Sequence, residues 1–297
     1  QLTGTVVDYG KAHSEKCNHS RYGADYTGRA LIDSFSSEEK INLLGHSFGG
    51  ATVRMFAHIM ENGSREEIAA TDANDLSDYF KGGKGDWIYS VTALAAPHNG
   101  TSAYCISTDD VPVKEDETLF DSVKRKIQNS LSNMIGSATA DRDENKAEWD
   151  NAAYDMYIDN ALEMNKEIAT LENTYYFSIP CSMTSKNEEG VWVPDESRME
   201  SLFVESSKEI GAYTGYTKGG FYIDESWQEN DGLVNTNSAK APMFNASKDF
   251  DANNITKGVW NIMPVYEGDH MSLQGGMTKN NDVRLLYAEH LEMINML

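Results

Sequence analysis

Residues 40–50 read K-I-N-L-L-G-H-S-F-G-G and leave the chain little freedom in local form. Ile41, Leu43 and Leu44 give residues 40–44 the apolar density of a buried strand. Val53, Phe56, Ala57 and Met60 then recur at i, i+3, i+4 and i+7, the stripe of a helix packed on a core. Between the two lies Gly45-His46-Ser47-Phe48-Gly49, a G-x-S-x-G run. A strand that becomes a helix within so few residues must turn sharply, and glycines two positions either side of Ser47 suit that turn. Such a turn lifts the serine hydroxyl out of the sheet and brings a helix N-terminus beside it. The five letters recur by chance; the flanking strand and helix give them weight.

Further strands read as 87–95, apolar almost throughout and so buried on both faces, as 174–179, and as 258–265. Helical patterns cover 149–168 and 283–296, the second with Asn281 or Asp282 as N-cap. Gly63 reads as the C-cap of the helix after Ser47. Strand–helix alternation predicts an α/β fold with a mostly parallel sheet covered by helices on both faces. Residues 1–28 and 182–222 read as irregular, and residues 64–82 as a short acidic helix and a loop. No linker divides the 297 residues, so one domain is expected over 1–297.

Within 102–149, Leu119, Phe120, Val123, Ile127, Leu131, Met134 and Ile135 recur at helical spacing. This is either a surface helix packed on the core or a lid over an apolar cleft. The formal charge of −22 and the lack of a basic stripe argue against a nucleic-acid partner. The same charge disfavours anionic membranes, so any lipid contact must use apolar surface. No apolar run is long enough to span a bilayer. Cys17, Cys105 and Cys181 form no C-x-x-C motif and read as small buried hydrophobes. His13 and His19 lie six residues apart, with Asp8 and Cys17 nearby; H-x5-H alone is not a strong metal spacing.

A serine nucleophile needs a base, and the base needs an orienting carboxylate. After a strand–turn–helix serine the chain order runs serine, acid, histidine. His270 follows a late strand in a short loop and suits the base; His290 lies inside the last helix and suits a solvated or packed role. Asp231, in the Asn-Asp-Gly turn, is the preferred acid, with Asp224, Glu229 and Asp269 as alternatives. Asp269 is expected to point away from its neighbour, and His46 to point away from the site. The Phe48 N–H is one expected oxyanion donor. A second normally comes from a loop after an earlier strand, and no H-G motif precedes residue 40. The chain is therefore expected to lack the N-terminal strands of its domain and, as it stands, to be weakly active or inactive.

Motifs along almost the whole chain resemble the secreted bacterial true lipases of the thermophilic Bacillus and staphylococcal type. They include D-Y-G-K-A-H at 8–13, G-H-S-F-G-G at 45–50, A-P-H-N-G-T at 96–101 and E-N-D-G-L-V-N-T at 229–236. F-K-G-G at 80–83, K-G-V-W-N at 257–261 and D-H at 269–270 fit as well. The resemblance implies an α/β-hydrolase fold, a helical lid within 102–149, and a small metal-site segment over 8–28. It implies an extracellular triacylglycerol lipase acting at an oil–water interface, with Ser47, Asp231 and His270 as its triad. A soluble carboxylesterase or phospholipase A1 on the same scaffold is the alternative, and a non-catalytic binding homologue a third. It also implies a structural zinc on His13, His19 and Asp150, with the fourth ligand expected upstream of Gln1. The family's calcium site is not expected, because Ser272 and Gln274-Gly275-Gly276-Met277 replace its acidic residues.

Overall fold

The computed structural model describes residues 2–108, 150, 152, 154–275 and 282–297. At its centre is a five-stranded sheet. The strands are β3 (Ile41–His46), β4 (Ile88–Leu94), β5 (Tyr175–Ile179), β6 (Ser247–Asp249) and β7 (Trp260–Ile262), in the order β6-β7-β5-β4-β3. Every pairing in it is parallel. The 258–265 run yields only the three residues of β7, because its ends leave the ladder for loops.

Parallel strands need covered faces, and alternation along β4 supplies both. Val91 and Ala93 face one way and pack with Ala57 and Met60 of α2 (Phe48–Asn62), together with Tyr176 and Trp260. Thr92 faces the other way. Its Oγ1 lies 2.8 Å from Nε2 of His290 on α8 (Arg284–Asn295), which also packs edge-on against Phe177. Leu94, Ile179 and Leu273 extend that second layer toward Leu286 and Tyr287. The C-terminal helix thus places His290 in packing contact rather than in solvent. Its N-cap is Val283; Asp282 instead accepts the Arg284 N–H at 3.1 Å.

Three segments differ from the sequence reading. Residues 1–28 are not loop-like: β1 (Val6–Asp8) and β2 (Tyr22–Asp25) pair antiparallel around α1 (Lys11–Cys17). Among its described residues the 149–168 pattern gives a single helical turn, Tyr154–Met156, and then α5 (Ile158–Glu167). The stretch 182–222 contains a helix, α6 (Ser201–Ala212). The 119–135 helix and most of the 102–149 insertion lie outside the described residues; α4 (Ser102–Thr108) opens that insertion. No helix among the described residues is long and apolar enough to cross a membrane.

Candidate active site

Ser47 joins β3 to α2 with φ 56° and ψ −130°, a conformation that ordinary L-residues adopt at a cost. Its amide donates to the Leu94 carbonyl at 2.8 Å, which ties the turn to the end of β4. The close approach falls on Gly45 and Gly50. A Cβ on Gly45 would stand 2.2 Å from the Gly49 carbonyl oxygen, and one on Gly50 2.4 Å from Ala96 Cβ. A Cβ on Gly49 would meet nothing within 4 Å, so the second glycine of the G-x-S-x-G run is not sterically required.

Ser47 Oγ lies 2.8 Å from His270 Nε2, and His270 Nδ1 lies 2.8 Å from Asp231 Oδ2. The carboxylate can only accept, so it fixes the proton on Nδ1 and leaves the Nε2 lone pair facing the serine hydroxyl. The other carboxylate oxygen accepts the N–H groups of Leu233 at 3.0 Å and Val234 at 2.8 Å. His270 also donates its backbone N–H to the Asp231 carbonyl at 2.8 Å. Asp231 and His270 are buried, while Ser47 is half-exposed. A buried, fully hydrogen-bonded carboxylate beside a neutral imidazole can hold that ring in one tautomer and stabilise its cation.

Two of the other acids weighed from sequence go elsewhere. Asp224 accepts from Ser226, and Asp269 accepts from Glu200 N, Met271 N and Ser272 Oγ. His46 does not point away from the site. Its Nε2–H donates to the His270 carbonyl at 2.6 Å, and its Nδ1 accepts from Gln274 Nε2 at 2.7 Å. Burial, aided by the nearby His270, lowers its pKa to about 4, so it stays neutral near pH 7. Phe48 is the first residue of α2, where the helix supplies no carbonyl for its N–H.

Two of the sequence motifs meet beneath the acid. Thr101 Oγ1 donates to the Leu233 carbonyl at 2.6 Å, and Asn235 exchanges hydrogen bonds with Ser102 at 2.8 and 2.9 Å. Gly232, at φ 101°, lies so close to α6 that a Cβ would come within 2.6 Å of Phe203 Cβ. The Phe203 ring stands edge-on to His270 at 6.3 Å. All these groups collect beyond the carboxyl ends of the parallel strands, where open α/β sheets place ligand sites.

The model of a family described as "Lipase-like, C-terminal domain" matches residues 1–149 and 139–290. The chain belongs to this lipase-like family. Lipase 1 of Staphylococcus aureus (strain MRSA252) is 29% identical over 303 residues, covering 92% of this chain and 41% of that protein. Lipase 2 of Staphylococcus aureus is 28% identical with the same coverage. The lipase-like chain therefore spans less than half the length of these curated relatives. EstA from Clostridium botulinum superposes with a TM-score of 0.80 at 27% identity, over 98% of this chain and 73% of that one. Staphylococcus hyicus lipase gives 0.76 at 25% identity, over 99% and 80%.

The lipase-like chain carries a second cluster, made of residues outside the Ser47–His270–Asp231 line. His13, His19, Asp150 and Cys17 each offer a donor atom, all within 4.8 Å of one another. Asp8 stands apart, its carboxylate paired with Arg21 at 2.9 Å. Two imidazoles, a carboxylate and a thiol are the donor types that zinc takes, so the residues fit that metal. Burial and then the Asp150 charge push the Cys17 thiol up to about 11, so without a cation it remains protonated. The sequence signal for Cys17 was its position four residues after His13, one helical turn along the same face.

Proposed function

We propose that this chain is the catalytic part of a triacylglycerol lipase, a serine ester hydrolase working through an acyl-enzyme. What carries this reading is the line Ser47 Oγ–His270 Nε2 and His270 Nδ1–Asp231 Oδ2, 2.8 Å at each step. The family membership and the printed names of the relatives support the substrate class.

In this reading His270 Nε2 takes the Ser47 proton as Oγ attacks the ester carbonyl. Asp231 holds the imidazolium. The developing oxyanion takes the Phe48 N–H at the positive end of α2. The tetrahedral adduct collapses, and His270 returns the proton to the departing alcohol. Water, deprotonated by the same ring, then releases the fatty acid from Ser47.

The insertion over 102–149 is assigned as a lid at an oil–water interface, and the protein as extracellular. Zinc is assigned to His13, His19 and Asp150, where it would pin α1 to the segment that follows the insertion. The role assigned to it there is structural, since none of these residues belongs to the Ser47–His270–Asp231 line.

A fluorophosphonate probe tests the nucleophile: it should label the protein, and Ser47→Ala should abolish labelling while the fold persists. Persistent labelling of Ser47→Ala, or none of the wild type, removes the reading. Rates on tributyrin measured across its solubility limit test the substrate class. A steep rise at emulsification marks a lipase; saturation below that limit marks a carboxylesterase.

A further inference from the structure

Two carboxylate–imidazole distances in the four-donor cluster are longer than a hydrogen bond. His13 Nε2 lies 3.6 Å from Asp150 Oδ1, and His19 Nε2 lies 3.8 Å from Asp150 Oδ2. An N–H···O bond runs about 2.7–3.2 Å. Ligands held about 2.0–2.3 Å from one tetrahedral ion stand about 3.3–3.8 Å from each other. Cys17 Sγ, 3.6 and 3.7 Å from the two ring nitrogens of His13, is within the longer reach of a thiol hydrogen bond and also within that range.

The orientation of His19 adds an independent observation. Its Nδ1–H donates to the Ser20 carbonyl at 2.8 Å, which fixes the ring so that Nε2 is the atom turned on the Asp150 carboxylate, 3.8 Å from Oδ2.

The fold also presents Cys17 rigidly. The buried Glu67 carboxylate accepts the N–H groups of Ala12 at 2.9 Å and His13 at 2.8 Å, anchoring the first turn of α1. A Cβ on Gly10 would collide with that carboxylate at 2.3 Å. At the other end Asn18 adopts the left-handed conformation, φ 56°, and swings His19 back toward the helix face that carries His13 and Cys17.

We propose that Cys17 is itself a metal ligand, its thiolate joining His13, His19 and Asp150 around a divalent cation of the zinc class and taking the fourth place, for which the sequence suggests a residue upstream of Gln1. This deepens the zinc assignment above, which uses only His13, His19 and Asp150. On binding, the S–H bond breaks, the proton passes to solvent, and a metal–sulfur bond forms with no change of oxidation state. Thiolate and carboxylate together cancel the charge of the dication.

Cobalt(II) titrated into the chelator-treated full chain reads the ligand set directly, without reference to activity. Expected is one equivalent bound, with the visible bands of tetrahedral cobalt and a near-ultraviolet sulfur-to-cobalt charge-transfer band. Cys17→Ser should lose the charge-transfer band and bind at least tenfold more weakly. In the zinc-loaded wild type, X-ray absorption at the zinc edge should show a zinc–sulfur distance of about 2.3 Å. This second readout decides the matter should Cys17→Ser not fold. Cobalt bound with visible bands and no charge-transfer band would leave the three-ligand zinc site standing and overturn the role of Cys17. No cobalt bound would remove both.

Discussion

His46 donates its Nε2 proton to the backbone carbonyl of His270 across 2.6 Å. The residue before the serine therefore holds the main chain of the residue proposed as base, and Gln274 holds His46 in turn. His46→Ala should lower kcat about tenfold, the worth of one hydrogen bond of about 1–1.5 kcal/mol, and leave KM unchanged. Gln274→Ala should cost less, because it loosens only the His46 ring. Unchanged kcat in His46→Ala would show that the ring merely fills space.

The carboxylate of Asp231 accepts three hydrogen bonds, from Leu233 N, Val234 N and His270 Nδ1. Asp231→Asn keeps the shape but can offer an N–H to Nδ1, which moves the imidazole proton to Nε2, facing the serine. A loss of about 10⁴ in kcat with little change in melting temperature is expected, as for triads of this kind. A loss under tenfold would mean that the ring keeps its tautomer by other means.

The glycines after the serine should respond oppositely. Gly49→Ala adds a methyl group to open space in a helix and should be neutral or stabilising by about 0.5–1 kcal/mol. Gly50→Ala drives a methyl group into Ala96 and should destabilise by about 1–3 kcal/mol. Urea midpoints of the two variants test this; equal midpoints contradict the packing described.

Acid should destabilise the fold over a defined window. Burial is the first cause that lowers the pKa values of His46 and His290 from 6.5 to about 4. Unfolded, both rings protonate near 6.5, so between there and 4 the unfolded chain binds more protons. Stability from these rings is complete above about 6.5 and falls as the pH drops, by up to about 1.4 kcal/mol per pH unit for each ring. His290→Gln should flatten the dependence of the urea midpoint between pH 6.5 and 4.5. An unaltered slope would exclude that ring as a contributor.

The legible parts of the fold were those with one dominant signal. β4 and β5 are short apolar runs, and α2 carries an apolar stripe directly after a turn motif. The illegible parts bury polar or small groups. α6 hides Ser206, Ser207 and Gly211 along with Phe203 and Ile210, so its inner face lacks an apolar stripe. Gly211 is there because a Cβ would come within 2.2 Å of the Trp192 carbonyl oxygen, which no local pattern reveals. Ser47, Asp231 and His270 were selected by motif and chain order, which do not carry distance. Cys17 looked inert because its neighbours in space, His19 and Asp150, are brought to it by the Asn18 reversal and by a segment over 130 residues away.

The hydroxyl of Ser47 and the ring of His270 are separated by 223 positions along the polypeptide. β5, the Asp231 turn and β7 all lie between them in the chain. Loops that long are slow to close. Hydrolytic competence should therefore appear last during refolding, later than helical circular dichroism. Newly made chain would stay inert toward the esters of its own cell until nearly the entire sheet was in place.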